Sequence, residues 1–325
     1  MKDLFKRTIR FIKSNIPGNQ RIFHSTIMAC IVAFSVYELH AGETAKKILI
    51  LNSDMSVSNY SLAHTGFESK VTIPSDEIDL GNKSMDETKI KNTIHKMNPD
   101  IIYCVGSKAY LMAYELAENK NIVFTSIINW RRLPLGKKTY GVSAELLPSM
   151  QLTLYRYLFP NISKIGILYS KDYNKEWLEI AVKSAKEVGI DIIKKSINKE
   201  GDIESALGNI LPKVDAIWLT PDPVVLSNTE STKQLFKQID KAGKPVFAYS
   251  EAFADLGATL IISADIPTAG IQAAGIALDL LSNQKVSERV QTPAGSHITL
   301  NLKNVGKYKI KLNEEALDSV NQIIQ

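Results

Sequence analysis

The sequence predicts an α/β protein of two similar halves, each an open parallel sheet wrapped by helices. Three observations indicate this fold class. Short apolar runs alternate with helix-length stretches from residue 46 onward, each run ends at turn-forming polar residues, and the same order of runs occurs twice. Continuous apolar runs of strand length are typical of strands buried on both faces, as in parallel sheets.

The first half contains three strand candidates. They cover residues 47–51, 100–105 and 121–124. Apolar residues recur at helical spacing in 87–97 and 109–118, which predicts helices beside these strands. The stretch from Phe67 to Leu80 shows a poorly formed helix–strand pattern, so this half is short between its first two runs.

The second half repeats the same order. Its strand candidates cover residues 164–169, 215–219 and 244–248, and its predicted helices cover 177–188 and 229–242. Matching positions lie at similar separations: Lys47 to Lys164 is 117 residues, Asp100 to Asp215 is 115, and Val123 to Val246 is 123. Three similar offsets in one order indicate an internal duplication of the strand–helix pattern.

Residues 1–41 differ in composition from the rest of the chain. Basic residues precede an uncharged apolar run of 11 residues at 27–37, and Ala41 is a small residue near its exit. This order is typical of a secretory signal, and the run is well short of the ~20 residues that cross a bilayer. We therefore predict a signal peptide, or alternatively an uncleaved N-terminal anchor, and export to a Gram-negative periplasm.

The net charge also differs between residues 1–41 and the rest of the chain. The whole chain carries +5 at pH 7, and residues 1–41 hold six basic and two acidic residues, which leaves about +1 on the remainder. This nearly neutral remainder is unlike the basic surface of a nucleic-acid or anionic-membrane binder. Cys104 is the single cysteine after the leader, so an internal disulfide is excluded, and its apolar neighbours indicate a buried core thiol.

Polar residues follow the predicted strands at their carboxyl ends, where open α/β sheets bind ligands. Two such sheets in tandem can enclose a ligand in a cleft between lobes by hinge closure. The candidate ligand-binding residues are Asn52, Ser53, Asp54, Ser107, Thr125, Ser126, Ser170, Thr220, Asp222, Ser250 and Glu251.

Two of these candidates have both a binding and a structural interpretation. Ser107 starts a predicted helix, where its hydroxyl and N–H group suit an anion such as a carboxylate, or where it caps the helix. Asp222 suits a ligand ammonium group, but an aspartate before Pro223 is also typical of a turn or helix start. Asp54 and Glu251 share this ambiguity. The aromatic residues beside the strand ends, including Tyr249, are more typical of packing than of ligand stacking.

Motifs of known enzyme classes are missing from the sequence. His64, His95 and His297 are far apart and lack metal-ligand spacing. The chain has no GxSxG, P-loop or GxGxxG motif. We therefore expect a binding protein that is not an enzyme and that has no cofactor and no metal.

Several segments between residues 140 and 303 together form a pattern that extends over a whole domain. They are YGVS at 140–143, QL at 151–152, LFPNISKIGILY at 158–169, VDAIWLTPD at 214–222, KPVFA at 244–248, residues 270–281 and NLK at 301–303. Together they resemble the substrate-binding proteins of an ABC-transporter family that includes tryptophan and tyrosine binders. The resemblance covers roughly residues 46–311.

The resemblance implies a type I periplasmic-binding-protein fold, with two Rossmann-like lobes joined by a hinge that the chain crosses three times. The implied divisions are 46–143 plus 265–290 for lobe 1, 144–264 for lobe 2, and 291–325 as a C-terminal segment. By position, Ser107 corresponds to a hydroxyl that seats a ligand carboxylate, and Asp222 to an acid that faces the ligand amine. Pro223 departs from the polar residue usual after that acid, and Arg131 and Arg132 place two basic residues near the cleft.

The resemblance thus implies an exported monomer that delivers an amino acid or similar zwitterion to an ABC permease and meets the membrane through its partners or an uncleaved leader. An alternative is a periplasmic sensor for a membrane kinase or an outer-membrane receptor system, which would have the same cleft. A second alternative is an enzyme on the same scaffold, which would need a reactive constellation at the strand ends. A transcription-regulator effector domain shares the fold, but it would carry a DNA-reading helix-turn-helix in place of the export leader.

Overall fold

Strands and helices alternate along the chain. The computed structural model describes residues 46–81 and 86–325, and the predicted leader at 1–41 lies outside them. The strands are β1 (Ile48–Asn52), β2 (Ser75–Asp79), β3 (Ile101–Val105), β4 (Asn121–Ile127), β5 (Thr139–Ser143), β6 (Lys164–Ser170), β7 (Asp191–Ile197), β8 (Ala216–Trp218), β9 (Val246–Ala248), β10 (Leu260–Ala264), β11 (Val290–Gln291), β12 (Ser296–Asn301) and β13 (Gln322–Ile324). The α-helices are α1 (Ser58–Glu68), α2 (Glu87–Met97), α3 (Ser107–Leu116), α4 (Pro148–Leu158), α5 (Lys171–Glu187), α6 (Ile203–Ile210), α7 (Thr229–Lys241), α8 (Ile266–Leu281) and α9 (Leu302–Lys307).

The first sheet contains six strands in the order β11-β5-β4-β3-β1-β2, all parallel. Helices α1 and α8 pack on one face and α2 and α3 on the other. Alternate residues of β1 therefore enter different cores, with Ile48 and Ile50 facing α1 and Leu49 and Leu51 facing α2. Burial on both faces is the reason that this strand is a continuous apolar run.

The second sheet contains seven strands in the order β13-β12-β10-β9-β8-β6-β7. All neighbours are parallel except β10 and β12, which are antiparallel. Helices α4 and α5 cover one face, and α6 and α7 cover the other. Each sheet with its helices is called a lobe below, so the first lobe is built on the six-stranded sheet and the second on the seven-stranded sheet.

The chain passes between the two sheets three times. It leaves the first sheet after β5, returns after β10 because α8 packs on the first sheet, and leaves again after β11. The segments between these elements are short, at residues 144–147, 265 and 292–295. Three short connections at one place form a hinge, which is the arrangement that allows two lobes to close on a ligand.

The return of α8 to the first lobe depends on two glycines. A Cβ atom on Gly270 would lie 2.2 Å from the carbonyl oxygen of Ala63, and one on Gly66 would lie 2.2 Å from that of Pro267. The backbones of α1 and α8 therefore touch at a distance that no larger side chain permits. This contact holds a helix from late in the chain against α1.

The predicted α/β class of two parallel-dominated lobes is confirmed. The strand β2 is regular although its sequence lacks an apolar run, because it is an edge strand whose side chains are largely exposed. Residues 291–325 contain β12 and β13, which belong to the second sheet. Cys104 lies in β3, fully buried, and burial raises the pKa of its thiol. Within the described residues, the helices are all too short or too polar to span a membrane.

Candidate ligand-binding site

A narrow pocket lies where the first connection between the lobes meets the carboxyl ends of the second-lobe strands. The connection contributes Ala144, Glu145 and Leu146, and Ile128 lies beside it just after β4. The second lobe contributes Gln151, Trp177, Trp218, Leu219, Thr220, Pro221, Tyr249, Ile262 and Ala264. The cavity volume is about 20 Å³, which is enough for about one water molecule in this state of the protein.

Aromatic rings form much of the pocket wall. The rings of Trp177 and Trp218 meet edge to face, with centroids 4.9 Å apart. Trp218 is 1% exposed and packs edge to face on Tyr155, with centroids 5.3 Å apart, so it is anchored in the core. Burial, together with the nearby charges of Asp222 and Glu145, raises the pKa of Tyr249 to about 12. Trp177 and Tyr249 are only partly buried and present ring surface to the pocket.

Two polar atoms on this wall lack hydrogen bonds. Among the described residues, the Oγ1 atom of Thr220 and the Oε2 atom of Glu145 are buried without a hydrogen-bond partner. Buried polar groups are normally paired, so such atoms at a pocket indicate a place for ligand or water. Burial raises the pKa of Glu145, while the charge of Arg131 and the backbone amide of Asn129 lower it less strongly.

A second, wider cavity adjoins the pocket and shares Glu145 and Trp177 with it. Its volume is about 210 Å³. Its other lining residues come from the turn after β4 and from the start of α5, and most are charged or polar: Asn129, Arg131, Arg132, Lys171, Asp172, Tyr173, Asn174, Lys175 and Glu176. Glu145 therefore stands at the boundary between an aromatic pocket and a polar cavity.

The turn after β4 also connects the two lobes. The Asn129 side chain donates a hydrogen bond of 2.9 Å to the carbonyl oxygen of Pro221. The Arg132 guanidinium lies over the ring of Tyr173, 4.1 Å from its centroid. Both contacts join the first lobe to the second across the cleft.

Asp222 lies beside this site, but its carboxylate is fully engaged by the protein. It is 1% exposed and accepts hydrogen bonds from the Ser170 amide (2.6 Å) and hydroxyl and from the Asn174 side chain (2.8 Å). It also accepts from the amides of Val224 (2.9 Å) and Val225 (3.2 Å). Asp222 and Ser170 thus join the start of α5 to the loop after β8, and a contact of Asp222 with a ligand amine stays a prediction.

The first-lobe candidates surround the start of α3. Gly106, with a φ of 84°, is the N-cap, and Ser107 is the first helical residue. The Ser53 hydroxyl accepts a hydrogen bond of 3.0 Å from the Ala109 amide. The capping function that the sequence suggested for Ser107 therefore belongs to Ser53, and the half-buried Ser107 is free of it.

Asn52 and Asp54 stabilise their own loop. The Asn52 Oδ1 atom accepts from the Asp54 amide at 3.0 Å. Asp54 accepts from the amide (3.0 Å) and hydroxyl (2.6 Å) of Ser56, and these hydrogen bonds lower the pKa of Asp54. These two residues therefore have structural partners within their own turn.

The remaining candidates divide between buried and exposed positions. The Thr125 hydroxyl is buried and lies 2.7 Å from the Tyr103 hydroxyl. Ser126 has a φ of 58° and, among the described residues, a buried hydroxyl without a partner. Ser250 caps a short 3₁₀ helix, and the exposed Glu251 accepts from the Thr299 hydroxyl at 2.9 Å. Of the predicted residues, Thr220 lines the aromatic pocket itself.

Glu145 and Trp177 were absent from the candidates that the sequence suggested. Both lie outside the strand ends, Glu145 in the connection two residues after β5 and Trp177 inside α5. The one sequence signal for Glu145 is an acidic residue two positions after the Tyr140–Ser143 segment and before the helix-starting Pro148. For Trp177, helical spacing gives no signal that separates a ligand contact from core packing.

The comparisons with known proteins identify the family and support the fold. The model of the family described as ABC transporter substrate binding protein matches residues 32–324. The chain belongs to this family. It is a family of substrate-binding proteins rather than of enzymes, and the described residues contain no group of three or more metal-ligating side chains.

Three relatives give a finer comparison. A tyrosine-binding protein from Clostridioides difficile is 22% identical over 224 residues, which are 65% of this chain and 64% of that protein's length. A domain from Streptococcus pneumoniae, solved in complex with L-Trp, has a TM-score of 0.57 at 19% identity, covering 85% of this chain and 100% of that one. A ligand-free, open substrate-binding protein with adhesive properties from Clostridium difficile has a TM-score of 0.69 at 17% identity, covering 86% and 99%. At these identities the solved structures support the two-lobed fold of the present chain.

Proposed function

We propose that this substrate-binding protein captures an amino acid or similar zwitterion between its lobes and delivers it to an ABC importer. The observation that carries the proposal is the aromatic pocket beside the hinge, with Thr220 Oγ1 and Glu145 Oε2 buried and unpartnered in the described structure. A zwitterion with an apolar side chain offers both polar groups for these atoms and apolar surface for the rings. From the first lobe, the partly buried Ser107 and the Ser126 hydroxyl, which has no hydrogen-bond partner among the described residues, are candidates to supply further polar groups.

L-tyrosine and L-tryptophan are the first ligands to test. The tyrosine-binding relative and the structure with L-Trp motivate the choice, and Trp177 and Tyr249 offer ring surface suited to an aromatic side chain. The net charge of the chain after residue 41, about +1, and the export leader predicted at 1–41 support capture in the periplasm, upstream of a permease. The narrow pocket requires the lobes to separate before a ligand of this size enters.

Thermal unfolding tests the proposal directly. We expect the melting temperature of the purified protein to rise with one or a few of the standard L-amino acids. A ligand at ~100 times its Kd adds ~2.7 kcal/mol to the free energy of unfolding. Isothermal titration should then give one site per chain for the same amino acids. A panel of all standard amino acids that produces neither a shift nor measurable heat would contradict the proposal.

A further inference from the structure

We propose that Glu145 binds the cationic group of the ligand and thereby selects ligands that carry one. This inference rests on the proposed function and deepens it by naming the residue that recognises the ligand's positive charge. A ligand ammonium group would lie at the boundary of the aromatic pocket and the polar cavity, where Glu145 and Trp177 line both.

One carboxylate oxygen of Glu145 is buried without a hydrogen-bond partner in the described structure. Its side chain is 10% exposed, and among the described residues its Oε2 atom accepts no hydrogen bond. A buried carboxylate is stable in a native structure when it is paired and hydrogen-bonded, and leaving one incompletely paired costs free energy. A feature that destabilises the empty protein and opens onto a pocket is explained by a bound partner.

Arg131 is a weak partner of Glu145. Its Nη1 atom lies 3.8 Å from Glu145 Oε2, beyond hydrogen-bond distance, and the Arg131 side chain is 45% exposed. Its guanidinium lies over the ring of Trp130, 4.6 Å from the centroid, so its position is also determined by that ring. Glu145 therefore keeps the capacity to accept hydrogen bonds from a ligand.

Asp222, the other buried carboxylate beside the pocket, differs from Glu145 in its pairing. Both Asp222 oxygens accept hydrogen bonds from the Ser170, Asn174 and loop groups described above. An ammonium group at Asp222 would have to displace protein donors, whereas at Glu145 it fills an open position. The geometry thus favours Glu145 over Asp222 for the ligand's positive charge.

The chemistry favours an ammonium group over a neutral or anionic one. A primary ammonium has three N–H donors, which suit a carboxylate oxygen, and the nearby Trp177 and Tyr249 rings stabilise a cation through their π-faces. A ligand with no cationic group would leave Glu145 Oε2 buried and still without a hydrogen bond from the described residues. A ligand whose anionic group lay here would face charge repulsion as well.

Three indole compounds test the two charges of the ligand separately. L-tryptophan carries both an ammonium group and a carboxylate. Tryptamine carries only the ammonium group, and indole-3-propionate carries only the carboxylate. We expect the wild-type protein to bind L-tryptophan best, to bind tryptamine measurably, and to bind indole-3-propionate far more weakly. Glu145→Gln should weaken L-tryptophan and tryptamine by about 30-fold, the size of a lost charge-assisted hydrogen bond. The same variant should bind indole-3-propionate at least as well as wild type does.

Two variants control for folding and for general charge. Glu145→Asp keeps the charge and should bind L-tryptophan more tightly than Glu145→Gln does. Glu187→Gln removes an exposed carboxylate at the end of α5 and should leave all three affinities unchanged. Melting temperatures of the variants, measured without ligand, establish that each is folded at the temperature of the titration.

The possible outcomes distinguish this inference from the proposed function. Glu145 does not recognise the ligand's positive charge if Glu145→Gln binds L-tryptophan within twofold of wild type. The same holds if the variant loses as much affinity for indole-3-propionate as for L-tryptophan. In both cases the proposed capture of an amino acid stands. If wild type binds indole-3-propionate alone, the inference is wrong and the cleft still binds a solute. If wild type binds no amino acid at all, the proposed function itself fails, and this inference with it.

Discussion

At the scale of single residues, the two buried carboxylates beside the pocket show opposite states of pairing. Asp222 holds the start of α5 to the loop after β8 with both oxygens, whereas Glu145 has an oxygen without a hydrogen bond in the described structure. A change at Asp222 would therefore alter both stability and affinity, since its donors would be left unpaired. Glu145 offers the cleaner test, because its removal deprives few protein groups of a partner.

Glu145→Gln is expected to stabilise the empty protein at neutral pH. Burial raises the pKa of Glu145 in the folded protein above its usual 4.5, so the folded state holds the proton more tightly than the unfolded state. Its contribution to stability is therefore present at low pH and is lost as the pH rises from about 4.5 through the raised pKa. Glutamine cannot ionise, so the variant should avoid this loss and should unfold at a higher urea concentration than wild type at pH 7.

Urea unfolding of both proteins between pH 4 and pH 8 measures the effect. The stability difference should be small at pH 4 and should grow with pH. The other charged groups lining the adjoining cavity are common to both proteins, so subtraction removes most of their contribution: Arg131, Arg132, Lys171, Asp172, Lys175 and Glu176. A difference that is constant with pH, or that favours wild type at pH 7, would show that Glu145 carries no such cost.

At the scale of secondary-structure elements, the contact between α1 and α8 holds the first lobe together. The α8 helix is separated from β5 by 122 residues (144–265) and still packs on α1. The close approach at Gly66 and Gly270 makes this possible, because backbone meets backbone there. A helix so placed also determines where the second connection between the lobes lies.

Gly270→Ala is expected to destabilise the protein by about 2 kcal/mol, as overpacking in a close-packed core does. The added Cβ would lie 2.2 Å from the Ala63 carbonyl oxygen, which belongs to a helix backbone and cannot move alone. Gly275→Ala is the matched control on the same helix, because nothing lies within 4 Å of its added Cβ. Gly275→Ala should stabilise the protein by about 0.5–1 kcal/mol through helix propensity. Equal effects of the two substitutions on the free energy of unfolding in urea would refute the contact between α1 and α8.

At the scale of the whole molecule, the turn from Asn129 to Arg132 is where the two lobes touch across the cleft. It reaches Pro221 through a hydrogen bond and Tyr173 through a cation–π contact. Such contacts hold the lobes together with a small free energy, of about 1 kcal/mol each. Opening for ligand entry must break them, and closing around a ligand can restore them.

The double variant Asn129→Ala, Arg132→Ala is expected to shift the empty protein toward a more open form. Small-angle X-ray scattering should show a larger radius of gyration than for wild type, and ligand should restore the wild-type value. Because about 1–2 kcal/mol of lobe contact is lost, affinity should fall by about tenfold, mainly through faster dissociation. An unchanged radius of gyration together with unchanged affinity would show that the turn has no part in closure.

Local pattern in the sequence predicted six of the strands that the structure contains (β1, β3, β4, β6, β8 and β9), the helices α2, α3, α5 and α7, and the duplication into two halves. These features follow from burial on both strand faces and from helical spacing, which are properties of neighbouring residues. The weak signal at β2 has the same origin, since an exposed edge strand needs no apolar run.

The tertiary structure alone decided which polar groups are free to meet a ligand. Ser170 and Asp222 are 52 residues apart, and Ser53 and Ala109 are 56 apart, yet each pair is hydrogen-bonded. No local pattern states that these bonds engage Asp222 and relieve Ser107 of capping, or that the Oε2 atom of Glu145 finds no hydrogen bond among the described residues. The reason is physical: the free energy of a buried polar group depends on partners brought together by folding, and not on its neighbours along the chain.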